Sequence, residues 1–285
     1  MNKDAVLILE GGAMRSVFSA GIIDFLMDKS IHIPNVIAVS AGAYAGMNYV
    51  SGQRGRLKEA VIEPLRDYRY MGLSTFLKKG TFFDMDYLFD EVPKGRAPFD
   101  FERFRNSGMR FLTSTVDLES GETIYYEDFQ DESSFFRICK AANSLPLIAK
   151  KSVIDGRTVL DGGMADAIPI AKAIEEGFQK AIVVFTRDAS YRKKEKKDLY
   201  NRLIHFVYRK YPKFLELVDA RAKCYNDSIE KISRMEQEGK AFVFRPTTVT
   251  VTNSEHNVDR LNEYYRHGYE TAKLRYEELK EFLRR

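Results

Sequence analysis

The chain opens on an unbroken apolar run, residues 5–9, that stops at Glu10. So short a run, closed by Gly11-Gly12, predicts a strand buried on both faces. From residue 16 to 27, Val17, Ala20, Ile23 and Leu26 recur at helical spacing, so a helix follows the glycine break. Residues 34–39 repeat the strand pattern and residues 41–49 the helical one. This β-loop-α-β-α order is the opening of a mostly parallel sheet.

Residues 51–107 change character. Tyr68, Tyr70, Met71, Phe76, Phe82, Phe83, Met85, Tyr87 and Phe89 alternate with lysines, glycines and prolines. Short helices and loops decorating the sheet are expected there. The aromatic stretch 68–89 reads equally as the wall of an apolar groove, a lid, or the core of an insertion.

A central strand is expected at 110–116, with 123–126 as its hairpin partner across Ser120-Gly121. A helix follows at 133–142, capped by Ser133 or Ser134. Then come a short strand at 158–160 ending in Asp161-Gly162-Gly163, a helix at 168–176 and a buried strand at 181–185. Beyond Asp188 the pattern is charged and helical: two long helices at 196–218 and 220–238, a last strand at 241–245, and an amphipathic helix at 257–285. No repeat, low-complexity tract or linker divides the chain. One domain over 1–285 is expected, with a core at about 4–186 and a helix-rich part at about 187–285.

Composition narrows the function. The 285 residues can bury a large core, and 44% apolar with 30% charged residues describes an ordinary globular protein. A net charge of +4 suits a mild preference for anionic surfaces and gives no nucleic-acid signature. Cys139 and Cys224 have no metal-ligand spacing, so reduced thiols and no metal or cofactor are expected. With neither a signal-peptide pattern nor an apolar stretch of about 18 residues, the expectation is a cytoplasmic protein with room for transient membrane-surface contact.

Three segments carry candidate chemistry. In Val36-Ile-Ala-Val-Ser-Ala-Gly-Ala43, a β-type run ends on Ser40, flanked at its second neighbours by Ala38 and Gly42. That is the form of a nucleophile elbow, and equally of a buried serine capping a helix. In Glu10-Gly-Gly-Ala-Met-Arg-Ser16, a glycine loop joins strand to helix. Its exposed N–H groups can hold a negative oxygen, whether of an oxyanion or a phosphate, or it is a plain tight turn. It lacks both the P-loop and the dinucleotide fingerprint. In Val159-Leu-Asp-Gly-Gly163, Asp161 ends an apolar strand, either at an active site or in an Asp-Gly turn.

Together and in this order, these blocks resemble the three signature segments of the patatin-like phospholipase family. Asp155-Gly-Arg-Thr-Val-Leu-Asp-Gly-Gly163 and Ala142-Asn-Ser-Leu-Pro146 extend the similarity, which covers about residues 4–186. The resemblance implies an α/β fold, a three-layer α/β/α sandwich with a mostly parallel central sheet and here a helical C-terminal elaboration. It also implies hydrolysis of lipid carboxylic esters by a Ser–Asp dyad, Ser40 as nucleophile and Asp161 as base. Backbone N–H groups of Gly11, Gly12, Ala13 and Met14 would form the oxyanion hole, and Arg15 would meet the substrate, brace the loop, or sit in a surface salt bridge. A histidine of a triad would have to come from His205, His256 or His267, since His32 precedes the second strand. Asp166 and Asp117 read as capping and turn residues, and the basic run 187–197 as a solvated loop or a headgroup contact. The chain departs from the family pattern at Ala13, Ser16 and Ala38, where glycines are common. Ala13 in a left-handed conformation would cost about 1–2 kcal/mol. The rival function is a non-hydrolytic lipid- or acyl-binding protein on the same scaffold.

Overall fold

The computed structural model describes residues 4–195 and 198–285. Its first half contains β1 (Ala5–Leu9), α1 (Val17–Asp28), β2 (Asn35–Ala38), α2 (Ala41–Val50), α3 (Leu73–Lys79), α4 (Phe101–Arg105), β3 (Arg110–Asp117) and β4 (Thr123–Tyr126). Then follow α5 (Glu132–Ala142), β5 (Ser152–Ile154), β6 (Arg157–Asp161), α6 (Ile170–Glu175) and β7 (Lys180–Val184). The chain ends with α7 (Leu199–Val207), α8 (Pro212–Gln237), β8 (Ala241–Phe244), α9 (Val258–Leu274) and α10 (Tyr276–Arg284).

The eight strands form one sheet, ordered β5-β6-β3-β2-β1-β7-β8, with β4 also paired to β3. From β3 to β8 the neighbours are parallel, while β4, β5 and β6 join by antiparallel pairing. The sheet is therefore mixed, with its antiparallel part confined to one side. β1 lies where the connections diverge, to β2 on one side and β7 on the other. Open sheets place their ligand crevices beyond the strand ends at such a point.

Strand alternation builds the three layers. Leu7, Leu9, Val36, Ala38, Ile182 and Val184 face α1, α2 and α9. Val6, Ile8, Ile37 and Val183 face α6 and α8. All of β1 is buried, which explains its uninterrupted apolar sequence. The far end of the chain is woven into this body: β8 extends the sheet and α9 lies along α1. That approach is close enough that a side-chain carbon at Gly268 would stand 2.2 Å from the Phe18 carbonyl oxygen.

Several boundaries differ from the sequence expectations. Asp131, not Ser133 or Ser134, caps α5, and Ser134 completes the reciprocal capping box from the first turn. The helices expected at 196–218 and 220–238 instead run Leu199–Val207 and Pro212–Gln237. Pro212 lacks an N–H and starts a helix better than it continues one, whereas nothing near Asp219 breaks it. Residues 196 and 197, the start of that expectation and the end of the basic run, lie outside the described residues. The helix expected over 257–285 breaks at Arg275, whose guanidinium turns to the Val243 carbonyl and Glu278. Strand β5 was not expected. It pairs with β6 across a turn in which Asp155 and Gly156 both have positive φ.

Candidate active site

Register brings the three sequence segments to one place. Ile37 pairs with Leu112 across β2 and β3, and three residues further along β3, Thr115 pairs with Asp161. Three residues beyond Ile37 is Ser40, so the antiparallel β6 carries Asp161 to the level of Ser40. The loop after β1 closes the third side: a side-chain carbon at Gly11 would lie 2.9 Å from Ser40 Cβ.

Ser40 stands at the turn between β2 and α2 with φ 55° and ψ −133°. Such backbone costs about 1–3 kcal/mol and persists only where packing enforces it. Gly42 permits the turn, because any side chain there would meet the Leu9 carbonyl oxygen at 2.5 Å. Ser40 also occupies the N-terminal position of α2, but its side chain makes no capping hydrogen bond.

Asp161 is fully buried. Its Oδ1 accepts the Gly163 N–H at 2.8 Å, and its own N–H donates to the Ser144 carbonyl at 3.0 Å. Oδ2 is buried without a hydrogen-bond partner. Burial pushes the carboxyl up to about 6, against smaller opposing effects of the nearby Ser40 hydroxyl, the Gly163 N–H and Arg221. Ser40 Oγ makes no hydrogen bond of full geometry to Asp161 Oδ2, yet it is near enough for the hydroxyl to favour the ionised carboxylate.

The glycine loop leaves donors open. Among the described residues, the N–H groups of Gly11, Gly12 and Ala13 have no hydrogen-bond partner, while Met14 N–H donates to the Asn253 carbonyl at 3.4 Å. Ala13 has φ 49°, the left-handed conformation that glycine would adopt without strain. Glu10 anchors the loop from below. Its Oε2 accepts from Thr186 N–H (2.5 Å) and Oγ1 (3.0 Å), and its Oε1 from the Tyr225 hydroxyl (2.7 Å).

Ser40 separates two cavities. On one side an apolar cavity of about 70 Å³ is lined by Met14, Tyr44, Tyr70, Phe83, Leu88 and Phe89 among others. The stretch 68–89 therefore serves both as packed core and as cavity wall. On the other side a polar cavity of about 740 Å³ reaches Asp161, the glycine loop, Arg15, Arg187, Lys193 and Arg221. Arg15 has no salt bridge among the described residues. Its pKa is lowered, first by burial and then by Arg187.

Asp117 and Asp166 have the structural roles expected of them. Asp117 accepts from the N–H groups of Glu119 and Ser120, and Asp166 from Ile168 N–H and the Tyr125 hydroxyl. None of the four histidines lines either cavity. His205 pairs with Asp219 at 3.0 Å, and His267 accepts from Thr247 N–H.

Two site residues escaped the sequence reading, Arg221 and Tyr225 of α8. Arg221 Nε donates to the Gly163 carbonyl at 3.1 Å. Protein atoms hem in its guanidinium while one surface opens onto the cavity, and this desolvation lowers its pKa. The signal was present: Val218, Ala222, Tyr225, Ile229 and Ile232 form the buried stripe of α8, and Arg221 is the one cation on that face. A helix boundary drawn at Asp219 concealed it.

Four similarities to known proteins bear on the site. The model of a family described as patatin-like phospholipase matches residues 7–174, and that of a domain of unknown function matches residues 211–284. An Escherichia coli K12 protein, "Uncharacterized protein YjjU", is 24% identical over 185 residues, which are 63% of this chain and 51% of that protein. The crystal structure of VipD from Legionella pneumophila aligns with a TM-score of 0.51 at 12% identity, over 95% of this chain and 66% of VipD. This chain thus spans about half the length of the first and about two thirds of the second, and the likeness to VipD is one of fold.

Proposed function

This chain belongs to the patatin-like phospholipase family, and from that premise we propose that it is a serine acyl hydrolase acting on lipid carboxylic esters of the phospholipase A or lysophospholipase type. The observation that supports this most is the convergence, at one cavity, of a serine in strained backbone, a buried carboxyl and three unpartnered N–H groups. Asp161 Oδ2 takes the Ser40 proton as Ser40 Oγ attacks the ester carbonyl. The N–H groups of Gly11, Gly12 and Ala13 hold the resulting oxyanion, each donor contributing about 2.7–4 kcal/mol to the transition state. As the tetrahedral intermediate collapses, Asp161 returns the proton to the leaving alcohol. Water, deprotonated by the same carboxylate, then releases the acid and restores Ser40. A carboxyl raised to about 6 is a better base for a hydroxyl than an ordinary aspartate, yet is still ionised at neutral pH.

The acyl chain fits the apolar cavity beside Ser40. For delivery of substrate, α7 has the right two-sidedness. Tyr200, Asn201 and Ile204 line the polar cavity, while Leu199, Leu203, Phe206 and Val207 are 71%, 44%, 67% and 50% exposed on the outer face. Arg202, Arg209 and Lys210 flank that stripe. We assign this face to transient contact with an anionic lipid surface. Among the described residues no helix is long and apolar enough to cross a membrane.

A second reading, a lipid- or acyl-binding protein without turnover, draws on the strained Ala13 and the missing short Ser40–Asp161 hydrogen bond. Ser40→Ala separates the two. The hydrolase reading expects turnover of a short acyl ester to fall at least about a thousandfold. Unchanged turnover in the variant removes Ser40 as the nucleophile, and no turnover by the parent protein favours the binding reading.

A further inference from the structure

Five cations line the polar cavity. Lys194 is exposed; the other four are half-buried and come from four parts of the chain: Arg15 from the glycine loop, Arg187 just past β7, Lys193 ahead of α7 and Arg221 from α8. Among the described residues none of them has an ion-pair partner. Among the described residues the Arg15 side chain makes no hydrogen bond, and its Nε is buried without a partner. Arg187 stacks on Tyr191, with 4.4 Å from guanidinium carbon to ring centre, and Lys193 Nζ sits 5.0 Å from the centre of the Tyr225 ring. Arg221 commits only Nε, to the Gly163 carbonyl. The position of Lys193 is fixed, because its N–H and C=O both bond the Asn226 side chain at 2.9 Å.

The acidic groups on the cavity wall, apart from Glu195, are otherwise engaged. Glu10 is held by Thr186 and Tyr225, Asp161 by Gly163, and Asp219 by His205. Asp198 caps α7, and Glu195 lies exposed at the rim. The cations therefore feel one another. Burial and then Arg221 depress the Lys193 ammonium to about 7, with Arg15 and Arg187 adding to the effect and Glu10 opposing it. A bound anion would relieve all four at once.

We propose that these residues form a subsite for the phosphate of a single-chain anionic lipid. The placement of its ester rests on the reading of Ser40 as nucleophile; the anion subsite itself rests on the four side chains. With the carbonyl at Ser40 and the acyl chain in the apolar cavity, the alcohol side of the lipid enters the polar one. The apolar cavity is the smaller of the two, about 70 Å³ against about 740 Å³, and we assign it one chain. A phosphocholine headgroup would bring a fixed positive charge among four cations, so the same residues select against it.

Binding to the full-length Ser40→Ala protein tests this without turnover. Titration with a short-chain 1-acyl-glycerol 3-phosphate is compared with the phosphocholine lipid of the same chain, glycerol 3-phosphate and inorganic phosphate. The phosphate lipid should bind at least about tenfold tighter than each of the others. Adding Lys193→Gln or Arg187→Gln should reduce that advantage about tenfold, or about 1.4 kcal/mol, with unfolding curves verifying that each variant is folded. In the single Ser40→Ala protein, Lys193 should titrate at higher pH when the phosphate lipid is bound. Equal binding of the two lipids, or an advantage that survives both substitutions, overturns the proposal. Inorganic phosphate binding as tightly as the acyl lipid also overturns it, by assigning the site to free phosphate. Because no ester is cleaved, these outcomes are independent of whether the parent protein is a hydrolase.

Discussion

At the residue scale, Ser40, Ala13 and Asp161 each hold a conformation or environment that folding alone disfavours. Ser40 and Ala13 sit at positive φ, and Asp161 is a carboxyl without solvent. The folded-state pKa of Asp161, about 6, lies above its ordinary value of 3.8, so burial penalises the ionised form. Its stabilising contribution is fully present below pH 3.8 and is lost as pH rises through about 6. Two units correspond to about 3 kcal/mol. Asp161→Asn should therefore gain stability relative to the parent between pH 4 and pH 7.5, read as a growing difference in Tm; a difference independent of pH contradicts the shift. Ester hydrolysis by the parent should lose its base on the acid side of about pH 6. Ser40, Asp161 and the glycine loop were legible in the sequence because each follows an apolar strand and is bounded by small residues. Arg221 was not, and Lys193 showed only as one member of the basic run 187–197. Their place in the cavity depends on how α8 crosses the sheet, which no local pattern encodes.

At the element scale, the parallel strands were the most legible part of the fold. Strands buried on both faces need continuous apolar runs, and 5–9, 36–39 and 181–185 have them. The strand β5 lay hidden in Lys150-Lys151-Ser152-Val-Ile154, where only Ile154 is buried and pairing rather than burial defines the strand. The helix α7 was read as part of a longer helix, which merged its two faces. Separated, its outer stripe makes a specific prediction. Leu203→Glu or Phe206→Glu should cut sedimentation with vesicles containing anionic lipid severalfold while leaving Tm nearly unchanged, since both side chains project into solvent. Vesicle binding equal to that of the parent would remove α7 as the contact face.

At the scale of the whole molecule, two family models meet different stretches of the chain, yet the described contacts interleave them. Within residues 211–284, β8 pairs with β7, α9 lies on α1, and Arg221 and Tyr225 close the site around Gly163 and Glu10. We propose that the chain folds as one domain. A protein ending at residue 210 should then show no cooperative unfolding transition, and a sharp transition near that of the parent would identify an independent N-terminal unit. We propose that one hydroxyl, that of Ser40, is made reactive by a carboxyl and a loop contributed by different strands. Treating the folded full-length protein with a fluorophosphonate and mapping the adduct by mass spectrometry tests it most directly. One adduct is expected, on Ser40, abolished by Ser40→Ala and strongly slowed by Asp161→Asn; an unlabelled Ser40 in the folded protein would rule out Ser40 as the nucleophile.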